Sequence, residues 1–156
     1  ACILPDQGGE TEFADMRAAY DALPDEKTAA IEDLMTEHSA FHSRMQLGDQ
    51  QYTPDDLAKY PTVEWPIVRT HPGSQRKTLF IGAHATRVLD WPVPEGRLLL
   101  ADLLEHATQR QFVYRHTWCP GDLVIWDNRA VLHRGRRYDL TQRRELRRST
   151  VEDVAA

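Results

Sequence analysis

The tightest constraint on the fold of this chain lies near its C-terminal end. From Phe112 onward the sequence breaks into short apolar segments of strand length, at residues 112–118, 123–126, 130–133 and 145–151, with a turn at Cys119-Pro120-Gly121-Asp122. Segments so short, so closely spaced and punctuated by turn residues read as a β-meander and leave no room for helices. The helices that accompany it must come from upstream. No internal repeat, low-complexity tract or second domain interrupts the chain, and 156 residues suffice for one domain with a real core.

Upstream, ACILP is a strand-like run stopped by Pro5 and then Gly8-Gly9. Phe13, Met16, Ala19, Tyr20 and Leu23 share one face of a helix expected over residues 13–23. Pro24-Asp25-Glu26 opens a second helix, with Ala30, Ile31, Leu34 and Met35 in helical period and an end near His38. Together these make a helical region at about 13–40. Residues 44–66 are polar, contain Pro54, Pro61 and Pro66, and read as a long loop of the kind that serves as a lid. Short strands are expected at 67–70 and 78–81, and a third helix from Pro94 to His106.

A net charge of −5 argues against a general nucleic-acid binder. The arginines are nonetheless crowded: Arg129, Arg134, Arg136, Arg137, Arg143, Arg144, Arg147 and Arg148 fall within twenty positions. Such a run either solvates a surface or collects charge for an anion. Cys2 and Cys119 match no disulfide framework or zinc spacing, which makes a reducing, cytoplasmic setting the expected one. No apolar run reaches the length of a membrane span.

The chemistry concentrates in Trp126-Asp127-Asn128-Arg129-Ala130-Val131-Leu132-His133, followed by Arg144 and Arg148. On a strand, Arg144, Leu146 and Arg148 project from one face while Arg143, Glu145 and Arg147 project from the other. If that strand lies antiparallel to the one ending at His133, two guanidiniums meet an imidazole inside a barrel. That arrangement calls for an anion or a metal between them. A dicarboxylate suits it, with one end on the metal and the other on a planar Arg fork. By residue type alone, a strand histidine is more often a core or surface residue than a ligand, and an Arg run is more often a solvated face.

Beyond these spacings, FVYRHTWCPGDLVIWDNRAVLHRGRRYDLTQRRELRRSTV resembles the C-terminal signature of the taurine/2,4-D dioxygenase family of Fe(II)- and 2-oxoglutarate-dependent enzymes. Gly8-Gly9-Glu10-Thr11, the VRTHP of Val68–Pro72 and the RK-x-LF pattern of Arg76–Phe80 are similar to further family segments, so the resemblance runs from residue 1 to about 151. It implies a mostly β fold with flanking helices, a double-stranded β-helix (jelly-roll, cupin-like) incomplete at its N-terminal side, to which the whole 1–156 stretch contributes. It also implies roles for individual residues: His133 as a metal ligand, Arg144 and Thr11 on 2-oxoglutarate, and Arg148 on an anionic substrate. For Thr11 alone, a helix N-cap ahead of Phe13 is the other reading. GGETEFADMRAAYDAL, VPEGRLLL and RRYD resemble the 2,4-D (aryloxyalkanoate) branch, where His84 falls at a substrate-contacting histidine; a structural histidine is the equal alternative. His71 is expected to be structural, and His38, His42, His106 and His116 carry no motif.

One departure matters. The family holds iron with a His-X-Asp pair and a distal His, yet none of the seven histidines here is followed two places on by Asp or Glu. Two imidazoles and a carboxylate are needed to leave positions open for co-substrate and oxygen. The pair is therefore expected upstream of Ala1, and the 156 residues alone are expected to be inactive. The resemblance implies Fe(II) as cofactor, with 2-oxoglutarate and O2 as co-substrates. It further implies a small anionic substrate such as an aryloxyalkanoate, with taurine or another alkylsulfonate as the alternative and a non-catalytic anion- or nucleic-acid-binding role as the remote one. No nucleic acid or membrane partner is expected, and a homo-oligomer is among the allowed assemblies.

Overall fold

The computed structural model describes residues 1–49 and 51–151 and divides into two compact units. Gln50, within the expected loop, and residues 152–156, at the end of the expected domain, lie outside the described residues. No helix among the described residues is long and apolar enough to cross a membrane.

Unit 2, residues 14–113 and 127–132, holds the hydrophobic core. Helix α1 (Met16–Asp21) packs on β5 (Lys77–Leu79) and on α5 (Val93–Ala107), and α5 packs on β6 (Ala85–Val88). Ala19, Ile31, Ile67, Val88, Leu103 and Ala107 are fully buried between them. Two antiparallel sheets complete the unit: β3-β2-β6, with β2 (Met35–His38) between β3 (Val63–Pro66) and β6, and a hairpin of β4 (Val68–Thr70) with β5.

Several local expectations are corrected here. Residues 11–15 form strand β1 (Thr11–Asp15), so the first helix begins only at Met16, where the Asp15 carboxylate caps the backbone N–H groups of Arg17 and Ala18. The second helix, α2 (Asp25–Ile31), stops well before His38, and residues 35–38 are the central strand β2. Met35 continues the helical apolar period, but pairing with two neighbouring strands outweighs that local signal. The expected loop contains α3 (His42–Gln46), α4 (Pro54–Lys59) and β3. Thr53 and Asp56 form a reciprocal capping box around Pro54, which starts α4 inside the stretch that reads as loop.

Unit 1, residues 1–13, 114–126 and 133 onward, is built on the sheet β7-β1-β8, with β7 at Val113–His116 after a 3₁₀ turn at Arg110–Phe112, and β8 at Val131–Gly135. Residues 123–126 alternate in exposure as a strand would, with Leu123 and Ile125 more than four-fifths exposed, but they are not assigned to a strand. Nor are residues 145–151; only Glu145 makes a bridge, to Ile3, through Glu145 N–H to Ile3 O at 2.8 Å and Ile3 N–H to Glu145 O at 3.1 Å. Alternation predicts a face, whereas a strand also needs a partner ladder.

Candidate functional site

Strand alternation divides the sheet of unit 1 into two chemically different faces. On one, Phe13 stacks on Tyr114 and lies 5.3 Å from the Trp126 ring and 6.3 Å from the His133 ring, centroid to centroid. Trp126 in turn lies 5.2 Å from His133. His133 is exposed overall, yet these rings desolvate its imidazole and, with the positive charge of Arg148, hold its pKa below the ordinary histidine value. The imidazole is therefore neutral near pH 7, the form that donates a lone pair to a metal.

Thr11, two residues before Phe13 on the same face, is buried and accepts a hydrogen bond from Trp118 Nε1 at 3.0 Å. Its hydroxyl proton stays available to a further acceptor. The N-cap reading of Thr11 is overturned, because it opens a strand and Asp15 is the cap.

Arg144 reaches the Gly8-Gly9 segment directly. Its Nη2 donates to Gly9 O at 2.8 Å, its Nε is buried without a partner, and no carboxylate among the described residues pairs with it. Gly9 has φ +73°, and a Cβ there would sit 2.9 Å from Arg144 Nε, so both backbone and packing require glycine. The orphaned, buried N–H of a guanidinium is suited to an anionic acceptor. Arg148 is exposed. The expected shared strand of Arg144 and Arg148 is absent, yet Arg144 still meets the Thr11 segment and Arg148 still acts on His133.

The opposite face belongs to Glu12, 7% exposed, which accepts hydrogen bonds from Arg115 Nε at 2.9 Å and Arg134 Nε at 2.8 Å and has Arg136 at 3.6 Å. These hydrogen bonds, Arg134's first, hold the Glu12 carboxyl below the usual carboxylate range against the opposing effect of burial. A cleft of about 480 Å³ is lined by Glu10, Arg115, Arg134, Gly135, Arg136 and Arg137, and none of the expected site residues lines it. Arg129 pairs with Asp127, and Arg143 and Arg147 with Glu145, so much of the C-terminal arginine run is internally neutralised. Because the folded pKa of Glu12 is depressed, its contribution to stability is present above the unfolded value and lost as pH falls through the folded one. Glu12→Gln in the complete protein is expected to cost about 1–2 kcal/mol at pH 7, discounted because the arginines are largely exposed. The difference in thermal midpoint from wild type should shrink at acid pH; an unchanged midpoint at pH 7 would contradict the hub role.

In unit 2, His71 is structural as expected: Ser74 N–H donates to its Nδ1 at 3.1 Å, so its Nε2–H donates to Asp127 at 3.0 Å. His84 is partly buried and packs against His38, the rings tilted by 38° with centroids 4.8 Å apart. Burial lowers its pKa. His38 is the residue that sequence reasoning missed, because no motif marks it and the strand that buries it read as helix.

Among the described residues no group of three His, Cys, Asp or Glu side chains is placed to hold a metal ion.

The family model described as "Taurine catabolism dioxygenase TauD, TfdA family" matches residues 1–150. The chain is 62% identical over 155 residues to the "Alpha-ketoglutarate-dependent 2,4-dichlorophenoxyacetate dioxygenase" of Cupriavidus pinatubonensis, covering 99% of this chain and 54% of the relative. It is 40% identical to the "(S)-phenoxypropionate/alpha-ketoglutarate-dioxygenase" of Sphingobium herbicidovorans, covering 96% and 54%. The crystal structure of AAD-2 in complex with Mn(II) and N-oxalylglycine superposes with a TM-score of 0.87 at 54% identity, covering 93% of this chain and 57% of that one. The chain thus spans about half the length of the curated relatives it matches.

Proposed function

The chain belongs to the taurine catabolism dioxygenase TauD, TfdA family, and from that membership we propose that the complete protein is an Fe(II)- and 2-oxoglutarate-dependent dioxygenase acting on an aryloxyalkanoate, with a jelly-roll to which these residues contribute one part. The observation that carries the site is Arg144: a guanidinium beside the Gly8-Gly9 segment with a buried, unpartnered Nε–H and no carboxylate partner among the described residues. In this reading Arg144 and the Thr11 hydroxyl hold the far carboxylate of 2-oxoglutarate, and His133 is one of three ligands to iron, the other two lying outside these 156 residues. When bound, the iron supplies the redox chemistry that splits 2-oxoglutarate to succinate and CO2 and puts one oxygen atom of O2 on the substrate. The protein's own contribution is placement. Arg148, and His84 by resemblance, take the carboxylate side of the substrate. With an aryloxyacetate, hydroxylation of the carbon between ether oxygen and carboxylate gives a hemiacetal, which collapses to a phenol and glyoxylate.

The test is the complete protein supplied with Fe(II), 2-oxoglutarate and O2 against a panel of aryloxyacetates, aryloxypropionates and taurine. Succinate and phenol released in equal amounts from an aryloxyacetate is the expected result. Succinate released faster with taurine than with any aryloxyalkanoate would overturn the substrate class, and no succinate with any member would overturn the activity.

A further inference from the structure

His38 is 4% exposed, the most deeply buried histidine of the chain, and the reaction as described gives it no task. Its surroundings determine its protonation. The Thr36 hydroxyl donates to Trp65 O at 3.0 Å and stands 2.7 Å from His38 Nε2. A hydroxyl has one proton, so with that proton on Trp65 O the Thr36 oxygen must accept from His38. His38 therefore carries its proton on Nε2, and Nδ1 is a buried acceptor with no partner. A second proton on this ring is opposed by burial first, then by His84 and by Arg69, and its pKa is lowered to about 4. Arg69 on β4, whose Cζ lies over the Trp65 and Phe80 rings at 4.2 and 4.6 Å from their centroids, reinforces this.

Backbone geometry then brings the next imidazole alongside. Between Glu37 and His38 the β2–β6 register shifts, so Glu37 faces Arg87 while His38 faces Ala85, leaving Thr86 as the extra residue of a bulge. Ser39 N–H donates to His84 O at 2.9 Å, which sets His84 beside His38 rather than across an ordinary ladder. The His38 ring packs against Phe80 at 5.3 Å and His84 at 4.8 Å. On its other side, His84 is packed so closely against Gly82 that a Cβ there would lie 2.7 Å from His84 Cε1. The His84 imidazole thus lies between a ring that cannot rotate without losing Thr36 and the close backbone of Gly82.

We propose that His38, tied through Thr36 to the backbone of β3, is a positioning residue that holds the His84 imidazole in one plane for contact with the anionic substrate. This rests on the substrate role given to His84 above. Burial holds the His84 pKa below the ordinary histidine value, so His84 meets the substrate as a neutral hydrogen-bonding group.

The experiment compares Thr36→Val, Thr36→Ser, His38→Phe and His84→Ala in the complete, iron-loaded protein, with thermal melts to confirm folding. Thr36→Val removes the hydroxyl with little change of shape, whereas Thr36→Ser keeps it. Loss of one buried hydrogen bond predicts a KM for the aryloxyacetate raised about tenfold in Thr36→Val and His38→Phe. The KM for 2-oxoglutarate and kcat should hold, and Thr36→Ser should stay near wild type. Independently of activity, 15N NMR of histidine-labelled wild type should show His38 neutral with its proton on Nε2, which keeps the test decisive if a variant does not fold. Unchanged substrate KM in both Thr36→Val and His38→Phe, with His84→Ala raised, would overturn the proposal and leave the assigned reaction standing. Unchanged KM in His84→Ala would overturn both the proposal and the role of His84, and an Nδ1–H tautomer or a protonated His38 at neutral pH would overturn the proposal by itself.

Discussion

Arg144→Ala in the complete protein is expected to raise the KM for 2-oxoglutarate by about 30-fold to 5,000-fold, the range that follows from removing one partner of a buried, hydrogen-bonded charge pair. Arg144 is half-buried, anchored by Nη2 on Gly9 O, with Nε left over for a ligand oxygen. Truncation would strand the co-substrate's carboxylate against the Thr11 hydroxyl alone. Arg144→Lys should recover little, since an ammonium cannot hold Gly9 O and present a second, coplanar N–H at once. Gly9→Ala gives the same outcome by another route, because its Cβ would meet the guanidinium at 2.9 Å in a backbone region that disfavours side chains. Steady-state kinetics with 2-oxoglutarate as the varied reactant provides the measurement. A KM within twofold of wild type for Arg144→Ala would remove Arg144 from the site.

His133→Ala is expected to be more severe. Losing a partner that merely orients a metal ligand costs about 10- to 100-fold in metal affinity or activity, and losing the ligand itself should exceed that. The structure offers no substitute: among the described residues no second His, Cys or carboxylate set stands ready to bind metal. Trp126 and Phe13 pack around the ring at 5.2 and 6.3 Å, so water replacing the imidazole would enter an apolar setting. Anaerobic titration with Fe(II), or with Mn(II) as a redox-inert stand-in, should show the loss of affinity, and turnover should fall with it. A variant that binds metal like wild type would show that His133 is only a member of the aromatic cluster.

Some of the site was legible before any coordinates because its elements are short-range. Pro94-Glu95 and the apolar face at Leu98, Leu99, Ala101, Leu103 and Leu104 announce α5, whereas the capping box that starts α4 lies in a stretch that reads as loop. The alternation around His133 announces a strand, and Gly8-Gly9 an interruption, with positive φ at both residues. His133, Thr11, Arg144 and Arg148 could be named because their joint spacing resembles a family pattern. The reach of Arg144 to Gly9, across 135 positions, is a fact of packing that spacing alone could not supply.

What the sequence determined by itself was the inventory of chemistry and the local conformations that one turn of helix or a few alternating residues can encode. The tertiary structure alone decided which strands found partners, and so which side chains lost water. Glu12 became a buried hub because Arg115 and Arg134, 103 and 122 positions away, closed on it. Residues 35–38 became a central strand because β3 and β6 pair on both sides, which buried His38 and fixed its proton. Residues 123–126 kept their alternation without being assigned to a strand. Strand pairing and desolvation are properties of distant segments meeting, and no local window of sequence contains both members of such a pair.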